Sequence, residues 1–225
     1  QDRIVYQVDA NQQNNFVMIS QRDYLNCLET TAKQPFRLVP FFDSAPWGGQ
    51  WMKDKFDLDK DKQNYGWSFD GVPDENSLLY KIDGFEFEIP AANLVGLKAE
   101  AVLGERVKSI FGNNFPIRFN YLDTMGGGNL SLQVHPKSEY IQREFGMPFT
   151  QDESYYIMDG KEDAKVYLGL KPNKDKTEMF EALRYSNDTG ENFDELEYVN
   201  EFSVKKHDHV LIPAGTIHCS GPNTV

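Results

Sequence analysis

The apolar residues of this chain fall into short runs closed off by turn-forming residues, and that limits what it can fold into. Gly84 to Ile89, GFEFEI, alternates strictly and ends at Pro90, the pattern of a half-buried strand. Phe115 to Leu122 puts Ile117, Phe119 and Tyr121 on one face. Leu130 to His135 follows the Gly126–Gly128 turn and stops at Pro136, which has no N–H for a ladder. Ser154 to Met158 runs into Asp159-Gly160, a hairpin-type turn. Ala164 to Leu170 and Val210 to Ile212 read as strands too. So do Ile4 to Val8 and Phe16 to Ile19 around a polar break, and Tyr65 to Phe69 and Leu78 to Ile82 around Pro73–Asn76. Only residues 93–111 carry a sustained helical stripe, stopped at Gly112. Shorter helices are expected at 137–145 and 177–184. Many short strands with small helical inserts predict a mainly β domain, a sandwich or jelly roll.

A chain of 225 residues with 40% hydrophobic and 13% aromatic residues can bury a substantial core. A formal charge of −12 argues against a general nucleic-acid binder, which needs a basic face. No run reaches the roughly 18 apolar residues of a membrane helix. Two cysteines, Cys27 and Cys219, make no disulfide framework, so free thiols in a reducing, cytoplasmic setting are expected. Residues 1–35 read as an N-terminal extension and 36–225 as the main domain. The Pro46-Trp47-Gly48-Gly49 segment suits a close backbone approach, either to a ligand or in packing.

Two segments concentrate the chemistry. Gln133 and His135 are two apart, so a strand places both on one face. Glu153 opens the next strand-like run, and His218 follows the Pro213-Ala-Gly215 turn. Amide oxygen, neutral imidazole and carboxylate together suit a divalent metal. Each residue alone has a plainer use: Gln133 in a sheet, Glu153 on a solvated surface. His207-Asp208-His209 also has His-x-His spacing, but it lies at a strand entry and reads as an exposed turn.

The spacing resembles the two-part signature of the cupin superfamily, small jelly-roll barrels that hold a metal inside. Within it, LSLQVHP (Leu130–Pro136) and PAGTIH (Pro213–His218) resemble the LSxQVHP and PAGTxH motifs of type I phosphomannose isomerases. The Trp47 segment, the Phe115–Asp123 strand and Ala164–Gly169 are similar to further segments of that family, in order, from about Pro46 to Gly221. The resemblance implies a cupin-type jelly-roll barrel with small helical inserts. It implies Zn2+ or another divalent ion on Gln133, His135, Glu153 and His218. It also implies interconversion of mannose 6-phosphate and fructose 6-phosphate, a small sugar-phosphate substrate with no nucleic-acid or membrane partner. Such a reaction moves a proton between neighbouring carbons, and it needs a group that stabilises charge on the sugar oxygens and a cation for the phosphate.

The chain departs from the family at several positions. Gln151 stands where the family's G-K-x-E has lysine, Ser68 where W-E has glutamate, and Asn120 where the FP strand has lysine. The family's arginine downstream of PAGTxH has no counterpart before Val225, so the domain is expected to be truncated at its C-terminus. Lys137 is the first candidate to replace the missing cation and Lys171 the second. The alternatives are a cupin that binds a sugar or sugar phosphate without turnover, and an iron-dependent cupin oxygenase using His135, Glu153 and His218.

Overall fold

The alternating segments fold as strands in two units, residues 1–42 with 68–121, and residues 43–67 with 122–225. The computed structural model describes residues 3–8, 15–59, 62–68, 76–82 and 85–225. The expected turn at Pro73–Asn76 lies almost wholly outside the described residues, as does most of the polar break at 11–15.

In the first unit, strands Arg3–Val8 and Asn15–Ser20 pair antiparallel with Ile4 opposite Ile19. The chain then enters the helix Gln21–Thr31. Ser20 caps it, its hydroxyl accepting from the Asp23 N–H at 3.1 Å, which satisfies one of the donors a helix start leaves free. A second antiparallel pair, Ser77–Ile82 with Phe85–Pro90, leads into the helix Ala91–Phe111. That helix is less regular than its stripe suggests: Lys98 and Gly104 leave helical geometry, and Gly104 has φ +76°. Tyr24 and Leu28 on the first helix, Leu78 and Ile89 on the strands and Leu94 on the second helix bury one core. The sequence between Asn114 and Asn120 forms no strand, and only Tyr121–Leu122 pairs. Ile117 and Phe119 are left exposed, so the alternation there has no sheet to bury it.

The second unit holds a four-stranded antiparallel sheet in the order Val199–Ser203, Lys165–Leu170, Ile217–Ser220, Gln133–Val134. A separate antiparallel pair joins His209–Ile212 to Glu153–Tyr156. Alternation along Lys165–Leu170 decides which core each side chain enters. Val166 joins Tyr155, Ile157, Ala164, Val204 and Ile212, so the four-stranded sheet and the two-stranded pair share this core. Tyr167, one residue on, enters the opposite cluster with Cys219, Tyr198 and Met179 of the helix Lys176–Thr189. Leu168 lies opposite His218, which points His218 to the side of the shared core. Strand Val199–Ser203 was not expected from its polar, acidic surroundings; Val199 is fully buried and anchors it.

The two glycines after Trp47 serve packing. Gly49 N–H is shared by the Tyr65 and Asp123 carbonyls at 2.9 Å each, and a Cβ on Gly49 would strike the Asp123 carboxylate. Gly127 abuts the Trp47 carbonyl in the same way. Buried Asp123 accepts from the N–H groups of Met52 and Met125 at 2.8 and 2.9 Å, fixing the short helix Trp51–Lys55. Both cysteines are free thiols. No helix among the described residues is long and apolar enough to cross a membrane.

Candidate metal centre

Three segments distant in sequence deliver the site. Gln133–Val134 leads into His135, Glu153 opens its strand, and His218 lies within Ile217–Ser220. Strand pairing aligns them, with Gln133 opposite His218 and Ile212 opposite Glu153. The Pro213–Gly215 turn is tied to both neighbours. Gly215 N–H donates to the His135 carbonyl at 2.7 Å, and Ala214 N–H donates to Asp152 Oδ1 at 2.9 Å. Gly215 has φ +88°, so the turn needs glycine, and the exposed Lys137 side chain lies over it. The Thr150 hydroxyl adds a bond to the Pro136 carbonyl.

The side chains converge on one oxygen. His135 Nε2 lies 2.6 Å from Glu153 Oε2, and His218 Nε2 lies 3.2 Å from the same atom. One donor atom from each residue falls within 4.8 Å of the others. His218 is fully buried, and His135 and Glu153 are partly so. His218 Nδ1 sits 2.8 Å from the Thr216 carbonyl, which can only accept. That nitrogen therefore carries a proton, and a second proton on Nε2 is needed to bond Glu153. A cation placed among these atoms would take over the work of that second proton. The arrangement fits a metal in this respect: the far nitrogen of His218 is fixed by a backbone carbonyl and the near one is aimed at a carboxylate.

The electrostatics agree with the geometry. Burial works against the Glu153 charge, but hydrogen bonds from His218 and His135 outweigh it and hold the carboxyl below its ordinary value. Burial likewise disfavours imidazolium at His218, yet Glu153 and the Thr216 carbonyl more than offset this and raise its pKa. Burial and then the Glu153 charge push the Tyr155 phenol up, so it stays protonated.

Of the residues expected at the site, His135, Glu153 and His218 come together. Gln133 stands beside them in register, on the face of its sheet that carries His218, with its own side chain exposed. Lys137 is exposed, and its aliphatic stem runs over Gly215 next to the turn that leads into His218. Lys171 is engaged elsewhere, its ammonium on the Leu196 carbonyl. Gln151, in the position of the family's lysine, points its amide at Glu153 Oε2 from 3.4 Å. His207 and His209 are exposed; His207 Nδ1 pairs with the Tyr156 hydroxyl at 2.6 Å. Two residues of the site were missed. Asp152 holds the Pro-Ala-Gly turn, and only its position beside Glu153 hinted at that. Tyr155 shares a strand face with Glu153, which the two-residue spacing already implied.

No family model matches the sequence. Among curated proteins, mannose-6-phosphate isomerase ManA of Bacillus subtilis is 27% identical over 199 residues, 84% of this chain and 55% of the relative. The chain is related to the mannose-6-phosphate isomerases. It spans about half the length of the curated relatives it matches. A crystal structure of mannose 6-phosphate isomerase from Bacillus subtilis superposes with a TM-score of 0.58 at 22% identity, covering 84% of this chain and 56% of that one. A zinc-bound mannose 6-phosphate isomerase structure matches with a TM-score of 0.57 at 12% identity, over 84% of this chain and 66% of that one. Over 84% of its length the chain is thus similar in fold to the solved mannose-6-phosphate isomerases.

Proposed function

We propose that this chain carries the metal site of an aldose–ketose isomerase that interconverts mannose 6-phosphate and fructose 6-phosphate. The observation that carries the reading is the convergence of His135 Nε2 and His218 Nε2 on Glu153 Oε2. Kinship with proteins named mannose-6-phosphate isomerase supports the choice of reaction. We take the strands of the second unit to belong to a cupin-type jelly-roll barrel with small helical inserts.

His135, Glu153 and His218 would hold the ion, with Gln133 as a fourth ligand from the opposite strand position. Two imidazoles, a carboxylate and an amide oxygen favour zinc over magnesium or calcium, which prefer all-oxygen sites. When bound, such a cation polarises sugar oxygens and stabilises negative charge as a proton moves between carbons. The protein's own part is orientation. The Thr216 carbonyl fixes the His218 ring, and the Gln151 amide steadies the Glu153 carboxylate. Lys137, mounted beside the Pro-Ala-Gly turn, is the candidate cation for the substrate phosphate.

The test is an assay of mannose 6-phosphate conversion by the zinc-loaded protein, with His135→Ala beside it. Turnover that disappears in the variant together with bound zinc supports the reading. Zinc bound by the wild type without turnover favours a sugar-phosphate-binding cupin, with Gln151 in place of lysine as the reason. Turnover that survives His135→Ala overturns the metal assignment.

A further inference from the structure

Tyr155 stands out among the buried polar groups. Only 9% of the residue is exposed, and its hydroxyl is wholly buried. Alone among the buried side-chain polar atoms of the described residues, that hydroxyl makes no hydrogen bond of ordinary length and angle. Leaving a hydroxyl so is costly, and folded proteins keep few such groups. On its apolar side Ile157, Val166 and Ile212 share its core, and Val210 is its partner across the strands.

Its position points to the site. Tyr155 is two residues from Glu153 on one strand, so both side chains leave the same face. Its ring stands edge-on to the His218 imidazole, with centroids 6.1 Å apart and planes at 64°. The Glu153 carboxylate also approaches the hydroxyl closely enough to interact with it as an acceptor. Both imidazoles and the Gln151 amide point at Oε2 of that carboxylate. A carboxylate has a second oxygen and about four lone-pair sites, so it can bind a cation beside the imidazoles and still accept from the phenol.

We propose that Tyr155 is a positioning residue: its hydroxyl donates to the Glu153 carboxylate when the site holds its metal, fixing the carboxylate's orientation as a ligand. This rests on the metal-site part of the proposed function but not on the identity of the sugar. Metal-bound side chains are commonly held by such a second hydrogen bond, and losing one weakens metal binding about 10–100-fold.

The experiment is a cobalt(II) titration of the metal-free full chain, read by visible absorption, for wild type, Tyr155→Phe and Ser154→Ala. Phenylalanine removes one oxygen and keeps the ring. Exposed Ser154, on the opposite strand face, reports any general effect of altering this strand. Tyr155→Phe is expected to bind cobalt about 10–100-fold more weakly, with altered absorption bands. Its metal-free form should melt no lower than wild type, because an unpaired hydroxyl has gone. Ser154→Ala should match wild type. Equal affinity and spectra for Tyr155→Phe and wild type overturn the inference, as does an equal loss in Ser154→Ala. A wild type that binds cobalt but does not turn over the sugar removes the isomerase reading alone, because the affinity comparison still decides the role of Tyr155. A wild type that binds no metal overturns both.

Discussion

Glu29 and Glu153 each sit between two nitrogen bases, one in each unit of the molecule. Glu29 receives Lys33 on one oxygen at 2.7 Å and Lys98 on the other at 2.5 Å. Glu153 receives both His135 and His218 on a single oxygen, at 2.6 and 3.2 Å. The Glu29 side chain is 43% exposed, and its partners are permanent cations on flexible stems, Lys33 exposed and Lys98 partly buried. The Glu153 side chain is 17% exposed, and its partners are rings fixed by strand register. The first arrangement is satisfied as it stands, because each ammonium has its own oxygen. The second depends on protons that an imidazole can release, and releasing them exposes lone pairs aimed at one point. Convergence and burial, rather than the number of charges, separate an ion pair from a ligand set.

The sharpest way to break the comparison is to remove the shared oxygen. Glu153→Ala leaves His218 buried with no acceptor for its inner nitrogen, and it takes one ligand from the set. Metal affinity should fall by more than ~100-fold, beyond what loss of a mere supporting bond costs. Isothermal calorimetry with zinc checks this; retained affinity would show that the ion sits elsewhere. Lys137→Ala should separate phosphate binding from metal binding. Loss of a charge-assisted contact of about 1.5–3 kcal/mol should raise KM roughly 10–100-fold with zinc content unchanged. Zinc loss without a KM change would remove Lys137 from its role. Gly215→Ala should act in between, through the backbone. Its left-handed φ resists a Cβ, so stability should drop by about 1–2 kcal/mol in denaturant unfolding. Because its N–H holds the His135 carbonyl, zinc binding should weaken alongside.

Much of the second unit was legible because its ligands carry strong local signals. A proline that stops a strand after His135 and a Pro-Ala-Gly turn before His218 both mark where a strand ends or begins. Period-two spacing then sets which side chains share a face. What was hidden arises across strands. Nothing near Asp152 says that it will bond Ala214, and nothing near Val199 distinguishes its strand from an acidic loop until a neighbouring strand buries it. The Phe115–Leu122 run erred in the other direction. Its alternation is clear, but alternation alone makes no strand, and only Tyr121–Leu122 enters a ladder. Residues 93–111 behaved likewise, since the apolar stripe does not register the breaks at Lys98 and Gly104.

The mildest test sharpens the comparison from the other side. Lys98 is one of those breaks, and its ammonium reaches Glu29 from the second helix of the first unit. Hydrogen bonds from Lys33 first and Lys98 second hold the Glu29 carboxyl down to about 2. Because the folded value is lowered, the stability it contributes is present above the unfolded value of about 4.3 and is lost as the pH falls through about 2. Lys98→Met removes one cation and keeps the stem's packing. The Glu29 carboxyl, followed by carbon-detected NMR titration, should move back toward its ordinary value, and the shift should shrink with added salt because the carboxylate itself is open to water. Zinc binding should be untouched, since nothing at Glu29 converges on a buried point. A titration of Glu29 that ignores both the substitution and the salt would mean that the ion pair is not what sets its charge. The contrast with Glu153 would then rest on burial alone.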